Sequence, residues 1–179
     1  HGHISLLQAI ERSCDCYFYE ISRRLGIDSI AEMANRFGLG SSTGVRIPAE
    51  KIGNIPTREW KAKNIRKPWQ QGETLIAGIG QGYVLATPLQ LAVMTARLAN
   101  GGRAVQPRLM KTEGEPPVVK SLGIPGRWLE AVLKGMNLVS NSPWGTAYRA
   151  RLEDQRWLLA GKTGTSQVRS ISQMERETR

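Results

Sequence analysis

Apolar residues recur along this chain at spacings of three and four, the period of a helix with one face against a core. Ser5-Leu6-Leu7-Gln8 has capping-box spacing, so a helix is predicted to start near Leu6 with Leu7 and Ile10 on one face. A second stripe, Cys14, Tyr17, Phe18, Ile21 and Leu25, follows and is closed by Gly26. Ser13 or Asp15, at the junction of the two patterns, is a candidate cap for it. Ser29-Ile30-Ala31-Glu32 reads as another capping box, with Ile30, Met33, Ala34 and Phe37 turned inward and Gly38 as the stop. The clearest helix has Thr87 as N-cap, Pro88 at its first position, Gln90 completing the box and Leu91, Met94 and Leu98 as its stripe. Leu129, Val132, Leu133 and Met136 mark one more, and Gly145-Thr146-Ala147 opens a short one.

Strand patterns are sparse. Val45–Pro48 reads as a short edge strand, and Arg103–Met110 as another that Pro107 confines to an edge. Residues 38–44 and 111–126 are loops, and 49–72 reads as a long irregular loop with Trp60, Trp69, Pro56 and Pro68. Gly78-Ile79-Gly80-Gln81-Gly82 lacks the Lys-Ser/Thr of a phosphate loop and reads as a tight backbone bend. Arg156–Ala160 reads as a buried strand running into Gly161-Lys162-Thr163-Gly164-Thr165-Ser166-Gln167. On a strand, Thr163 and Thr165 share one face. Lys162 supplies positive charge, and Gly164 lets a substrate backbone approach closely. Such an edge suits a carboxylate and part of an extended peptide, although the motif is weak by itself. Helices between sparse strands give an α/β (α+β) class with most of its strands missing from this sequence.

Composition narrows the function classes. With 179 residues, 40% of them hydrophobic, and five Trp, the chain is no disordered segment; it is one domain or a large piece of a bigger one. A formal charge of +10 suits nucleic acid, an anionic surface or an acidic substrate. The basic residues are spread out, apart from Arg58, Lys61, Lys63, Arg66 and Lys67, and no nucleic-acid module is recognisable, so most read as a solvated face. No run reaches membrane-spanning length and no signal peptide is present. The chain begins at His1 and stops soon after its most motif-like strand, so it is expected to be a piece, with any membrane anchor outside it. Cys14 and Cys16 lie two apart, which on a helix points them to different sides and argues against a disulfide; Cys16 is expected to be a small buried residue.

The remaining signal is a constellation. Ser13-Cys14-Asp15 stands about 150 residues before Lys162-Thr163-Gly164, and further short stretches lie between: Asn54–Trp60, Lys67–Gln70, Gly78–Gly82 with Thr87–Gln90, and Gly145–Ala147. Together with His1-Gly2-His3 and Cys16-Tyr17-Phe18-Tyr19, in this order and over nearly the whole chain, they resemble the transpeptidase domain of class B penicillin-binding proteins. The implied fold is the penicillin-binding protein/β-lactamase-like one, present in part: its mostly helical portion plus the Lys-Thr-Gly strand, over residues 1–179.

The resemblance implies a peptidoglycan D,D-transpeptidase that is acylated by β-lactams. That chemistry uses Ser-x-x-Lys, Ser-x-Asn and Lys-Thr-Gly motifs. Ser13-Cys14-Asp15 matches the second and Lys162-Thr163-Gly164 the third, while no Ser-x-x-Lys occurs in the chain. The nucleophile is therefore expected upstream of His1, and the fragment alone is expected to be inactive. Ser13 would relay a proton or orient the leaving amine. Asp15 departs from the usual Asn: when ionised it only accepts hydrogen bonds. Lys162 and Thr165 would bind the terminal carboxylate, with the Thr165 N–H as a candidate oxyanion-hole donor. Some relatives carry a zinc beside the second motif, which makes His1 and Cys14 the preferred metal pair; the alternative is a surface His and a packed Cys. Implied partners are stem peptides, β-lactams and the glycan polymerase of the elongation machinery, for a periplasmic domain on an inner-membrane anchor and with no nucleic acid. A serine β-lactamase or D,D-carboxypeptidase, a non-catalytic scaffold or sensor, and a basic nucleic-acid binder are the competing classes.

Overall fold

A computed structural model describes residues 2–111, 118–154 and 156–166. Its helices are α1 (Leu6–Glu11), α2 (Asp15–Leu25), α3 (Ile27–Arg36), α4 (Arg58–Ile65), α5 (Gln71–Gly78), α6 (Pro88–Ala99) and α7 (Gly126–Asn141), with a 3₁₀ turn at Tyr148–Ala150. None is long and apolar enough to cross a membrane. Pairing between extended segments is limited, among the described residues, to isolated antiparallel bridges at Asn54–Leu85 and Arg103–Ser121.

Local sequence explains several helix starts. Ser5 accepts from the Gln8 N–H while Gln8 reaches back to the Ser5 N–H, and Thr87 and Gln90 repeat the arrangement ahead of Pro88. Gln90 is fully buried, and its amide also donates to the Ser41 and Ile52 carbonyls, both at 2.8 Å. One side chain thus caps α6 and ties down the loop that crosses it. Gly26 ends α2 and begins α3 with φ 76°, a left-handed value that favours glycine, so α3 starts at Ile27 and the expected Ser29 box falls inside its first turn.

Packing sets the helices in pairs. α1 lies along α7 and α2 along α5, with α3 also touching α5 and α6 touching α7. The first pair closes at Gly135, where a Cβ would come within 2.7–3.0 Å of Ile10 side-chain atoms. The second closes at Gly78, where a Cβ would overlap Ser22. Ala9 and Ile10 of α1 and Val139 of α7 are buried, and Leu129, at the start of α7, is buried against Gly102 just past the end of α6.

The region read as an irregular loop holds two helices, α4 and α5. Thr57 caps α4 by accepting from the Trp60 N–H at 2.9 Å, and Glu73 accepts from the Gln70 N–H at 2.7 Å at the start of α5. Lys61 joins the two. It is 4% exposed, and its ammonium donates to both Glu73 oxygens, at 2.5 and 2.7 Å, and to the Pro68 carbonyl at 2.8 Å. Lys61 is therefore no part of a solvated basic face. Burial pushes the Glu73 carboxyl up, but hydrogen bonds from Lys61 and the Gln70 N–H, the Lys61 charge and a bond from Tyr83 outweigh it and hold the group below its ordinary value.

Other expectations need correction. Val45–Pro48 forms no strand, and Arg46 and Ala49 adopt positive φ, which breaks an extended run. Of the Arg103–Met110 stretch, Arg103 alone forms a β-bridge among the described residues, to Ser121. Residues 156–160 carry no strand pairing among the described residues, and Trp157, Leu158 and Leu159 are 68%, 64% and 42% exposed, so this run is not a buried strand here. A strand is buried by neighbours on its sheet; none lies beside this run among the described residues. Cys16 is exposed and Cys14 buried, the reverse of the expectation for Cys16, and both are free. Neither Ser13 nor Asp15 caps α2; its N-cap is Cys14, with no side-chain cap bond, and Asp15 is its first residue.

Candidate active site

Ser13 sits where the chain turns from α1 into α2. Its φ is 50°, in the left-handed region that non-glycine residues enter at a cost of roughly 1 kcal/mol. The turn is held by the Cys14 N–H, which donates to the Ala9 carbonyl at 3.0 Å, and by burial of Cys14. This conformation leaves the Ser13 hydroxyl at the mouth of the turn. Asp15, at the start of α2, places a carboxylate where the helix dipole favours one.

The second wall arrives from the other end of the chain. The Lys162 ammonium donates to Ser13 Oγ at 2.5 Å, joining residues 149 positions apart. It also donates to the Thr163 carbonyl at 3.0 Å and the Thr163 hydroxyl at 3.3 Å. Three hydroxyls close a triangle beside it: Ser13 to Thr163 at 3.2 Å, Ser13 to Thr146 at 3.3 Å, and Thr146 to Thr163 at 2.9 Å. Burial lowers the Lys162 pKa from its ordinary value, and the Asp15 charge opposes that shift.

Ser13, Asp15, Lys162, Thr163, Gly164 and Thr165 line one cleft of about 630 Å³, with Phe18, Gly78, Ile79 and Gln81 completing it. A Cβ on Gly164 would meet nothing within 4 Å, so the space above it is open. Gln81 donates to the Thr165 carbonyl at 2.7 Å and ties the bend after α5 to the Lys-Thr-Gly segment. The arrangement is chemically specific: an amine held against an alcohol, flanked by further hydroxyls and one carboxylate, in a cleft open to an extended substrate. It can pass a proton between Ser13 and Lys162 and offer positive charge to an anion.

Thus the six residues singled out in the two motifs converge. Two contributors were not assigned to the site from the sequence, Thr146 and Gln81. Their signal was present, since both lie in short stretches noted for the resemblance, Gly145–Ala147 and Gly78–Gly82. Nothing in either stretch shows which side chain faces Ser13 or Thr165. The metal pair fares differently. His1 lies outside the described residues, and no group of three or more His, Cys, Asp or Glu side chains converges among those described. Cys14 alone does not make a zinc site, and no chemistry below depends on one.

Comparison with known proteins points the same way. The family model described as the penicillin binding protein transpeptidase domain matches residues 1–177. Peptidoglycan D,D-transpeptidase MrdA of Haemophilus influenzae is 42% identical over 98% of this chain and 28% of its own length. The crystal structure of Pseudomonas aeruginosa PBP2 in complex with WCK 5153 is 44% identical, with a TM-score of 0.83 over 94% of this chain and 39% of that one. The Helicobacter pylori PBP2 of a complex with MreC is 36% identical, with a TM-score of 0.85 over 94% of this chain and 31% of that one. The chain spans about 28% of the length of the first curated relatives it matches.

Proposed function

The chain belongs to the penicillin-binding protein transpeptidase domain family, and from that premise we propose that it supplies two walls of the acyl-transfer cleft of a peptidoglycan D,D-transpeptidase. The observation that carries this reading is the Lys162–Ser13 contact at 2.5 Å, which brings the Ser-x-Asp and Lys-Thr-Gly motifs together in an open cleft. The nucleophilic serine and its lysine would come from sequence outside these residues, because the chain contains no Ser-x-x-Lys. That serine would attack the penultimate D-Ala carbonyl of a stem peptide, and D-Ala would leave as an amine. Ser13 would give that amine a proton and take one from Lys162 in exchange. Lys162 and Thr165 would hold the terminal carboxylate, and the Thr165 N–H would face the developing oxyanion.

β-Lactams would acylate the same serine. A periplasmic location on an inner-membrane anchor, and work beside the glycan polymerase of cell-wall elongation, belong to the same proposal. They are supported by the family and by relatives such as the PBP2 found with MreC in Helicobacter pylori. A zinc held by His1 and Cys14 is a separate proposal, supported by the resemblance alone; metal analysis of the protein and its Cys14→Ser variant decides it.

Fluorescent penicillin tests the main reading. The full-length protein is expected to carry a covalent label, and the isolated 179-residue chain none. Labelling of the isolated chain at a serine would overturn the assignment of the nucleophile, and an unlabelled full-length protein would overturn the transpeptidase.

A further inference from the structure

The geometry points to Thr146 as a positioning residue that sets the direction of the Ser13 hydroxyl proton; this rests on the acyl-transfer reading above. Ser13 Oγ has one proton and two lone pairs. While Lys162 is an ammonium it donates into one of those lone pairs. The Ser13 proton must then point elsewhere, and the hydroxyl acceptors beside it are Thr146 and Thr163. Thr163 already takes an N–H from Lys162 at 3.3 Å, whereas Thr146 takes none. Thr146 is the less occupied acceptor of the two, since Lys162 already takes up one of the two Thr163 lone pairs.

The need reverses during turnover. When Ser13 gives its proton to the leaving amine, an O–H bond breaks and an N–H bond forms. One proton passes from the Lys162 ammonium to Ser13, leaving a neutral amine. That amine now has a lone pair to accept the Ser13 proton, and Ser13 needs a donor instead of an acceptor. A threonine hydroxyl serves in both senses by rotating about its C–O bond, with Thr163 as its partner at 2.9 Å. Asp15 and Lys162 are the charged groups lining the cleft, so the hydroxyls do this switching without adding charge.

Thr146 is also rigidly mounted. Its N–H donates to the Glu11 carbonyl at 3.2 Å, at the end of α1 and two residues before Ser13. Gly145 before it has no room for a Cβ, which would run into the Leu138 and Val139 carbonyls, and Ala147 after it donates to the Val139 carbonyl at 2.9 Å. The hydroxyl therefore keeps its place relative to Ser13 through the last turn of α7 and the end of α1.

The test is acylation of the full-length protein by fluorescent penicillin, comparing Thr146→Val, which keeps the shape and loses the hydroxyl, with Thr146→Ser, which keeps the hydroxyl. Thr146→Val is expected to slow acylation about tenfold, the effect of losing one hydrogen bond at a reacting group, with Thr146→Ser within about twofold of the wild type. In a Ser13→Ala background the Thr146→Val effect should vanish. Should Thr146→Val not melt with the wild type, Thr146→Ala takes its place. Hydroxyl-free variants that acylate at the wild-type rate, or a Thr146→Ser as slow as Thr146→Val, would overturn the role of Thr146 while leaving the transpeptidase reading intact. An unlabelled wild type would instead remove that reading, and this inference with it.

Discussion

Replacing Lys61 with Met isolates the buried ion pair that joins α4 to α5. All three ammonium protons are used, two on Glu73 and one on the Pro68 carbonyl, and the charge lies 5.9 Å from the centre of the Trp69 ring. Methionine keeps most of the stem and removes the charge. Glu73 is then left with a carboxylate side chain 22% exposed and the Gln70 N–H and Tyr83 as its hydrogen-bond donors. Removing one partner of a buried pair costs about 3–5 kcal/mol, and the partial exposure of Glu73 argues for the lower end, about 3 kcal/mol. In a chain of this size that lowers Tm by about 6–12 °C, measurable through tryptophan fluorescence because Trp60 and Trp69 flank the pair. The pH dependence carries the sign. The Glu73 carboxyl is held below its ordinary 4.5 in the folded state, so its contribution is complete above pH 4.5 and is lost as pH falls through the folded value. The wild-type advantage over Lys61→Met should therefore shrink below about pH 4.5. A Tm loss under about 2 °C at pH 7, or a gap that does not change on acidification, would refute the reasoning.

Two further substitutions probe packing and electrostatics. Gly135→Ala gains about 1 kcal/mol of helix propensity but drives a methyl into Ile10, so a net loss of about 1–2 kcal/mol is expected in denaturant titration; it should become neutral or stabilising when Ile10 is also Ala, and a stabilised single variant would contradict the close approach of α1 and α7. Asp15→Asn removes the charge that favours the Lys162 ammonium, so the pH at which Lys162 loses its proton should move down in the pH profile of acylation; an upward move would show that Asp15 does not face Lys162 as described.

The sequence disclosed the elements whose signals are local. Ser5 with Gln8, and Thr87 with Pro88 and Gln90, announce α1 and α6 because the caps use residues three apart. α4 was hidden because Arg58–Ile65 has almost no apolar face; it is fixed by the Thr57 cap and by the long-range pairing of Lys61 with Glu73. α5 was hidden because it opens at Gln70, a residue type that rarely caps. The motif residues of the site were visible as types at characteristic positions, and the resemblance named their chemistry. Which neighbours complete the site was not visible. Thr146 and Gln81 owe their places to the packing of α1 on α7 and of α2 on α5, which no spacing within either stretch encodes. The exposure of Trp157 and Leu158 follows from the same limit, since a strand is buried by partners distant in sequence.

The central claim is that Ser13 and Lys162 act as one unit. It is tested most directly by a double-mutant cycle on acylation of the full-length protein by fluorescent penicillin, using Ser13→Ala, Lys162→Ala and the pair together. Each single variant is expected to lose about 10²-fold or more, and the double variant to be no slower than the slower single, because removing either member already breaks the proton path. Losses that multiply in the double variant would mean that the two residues act independently, and would contradict the account.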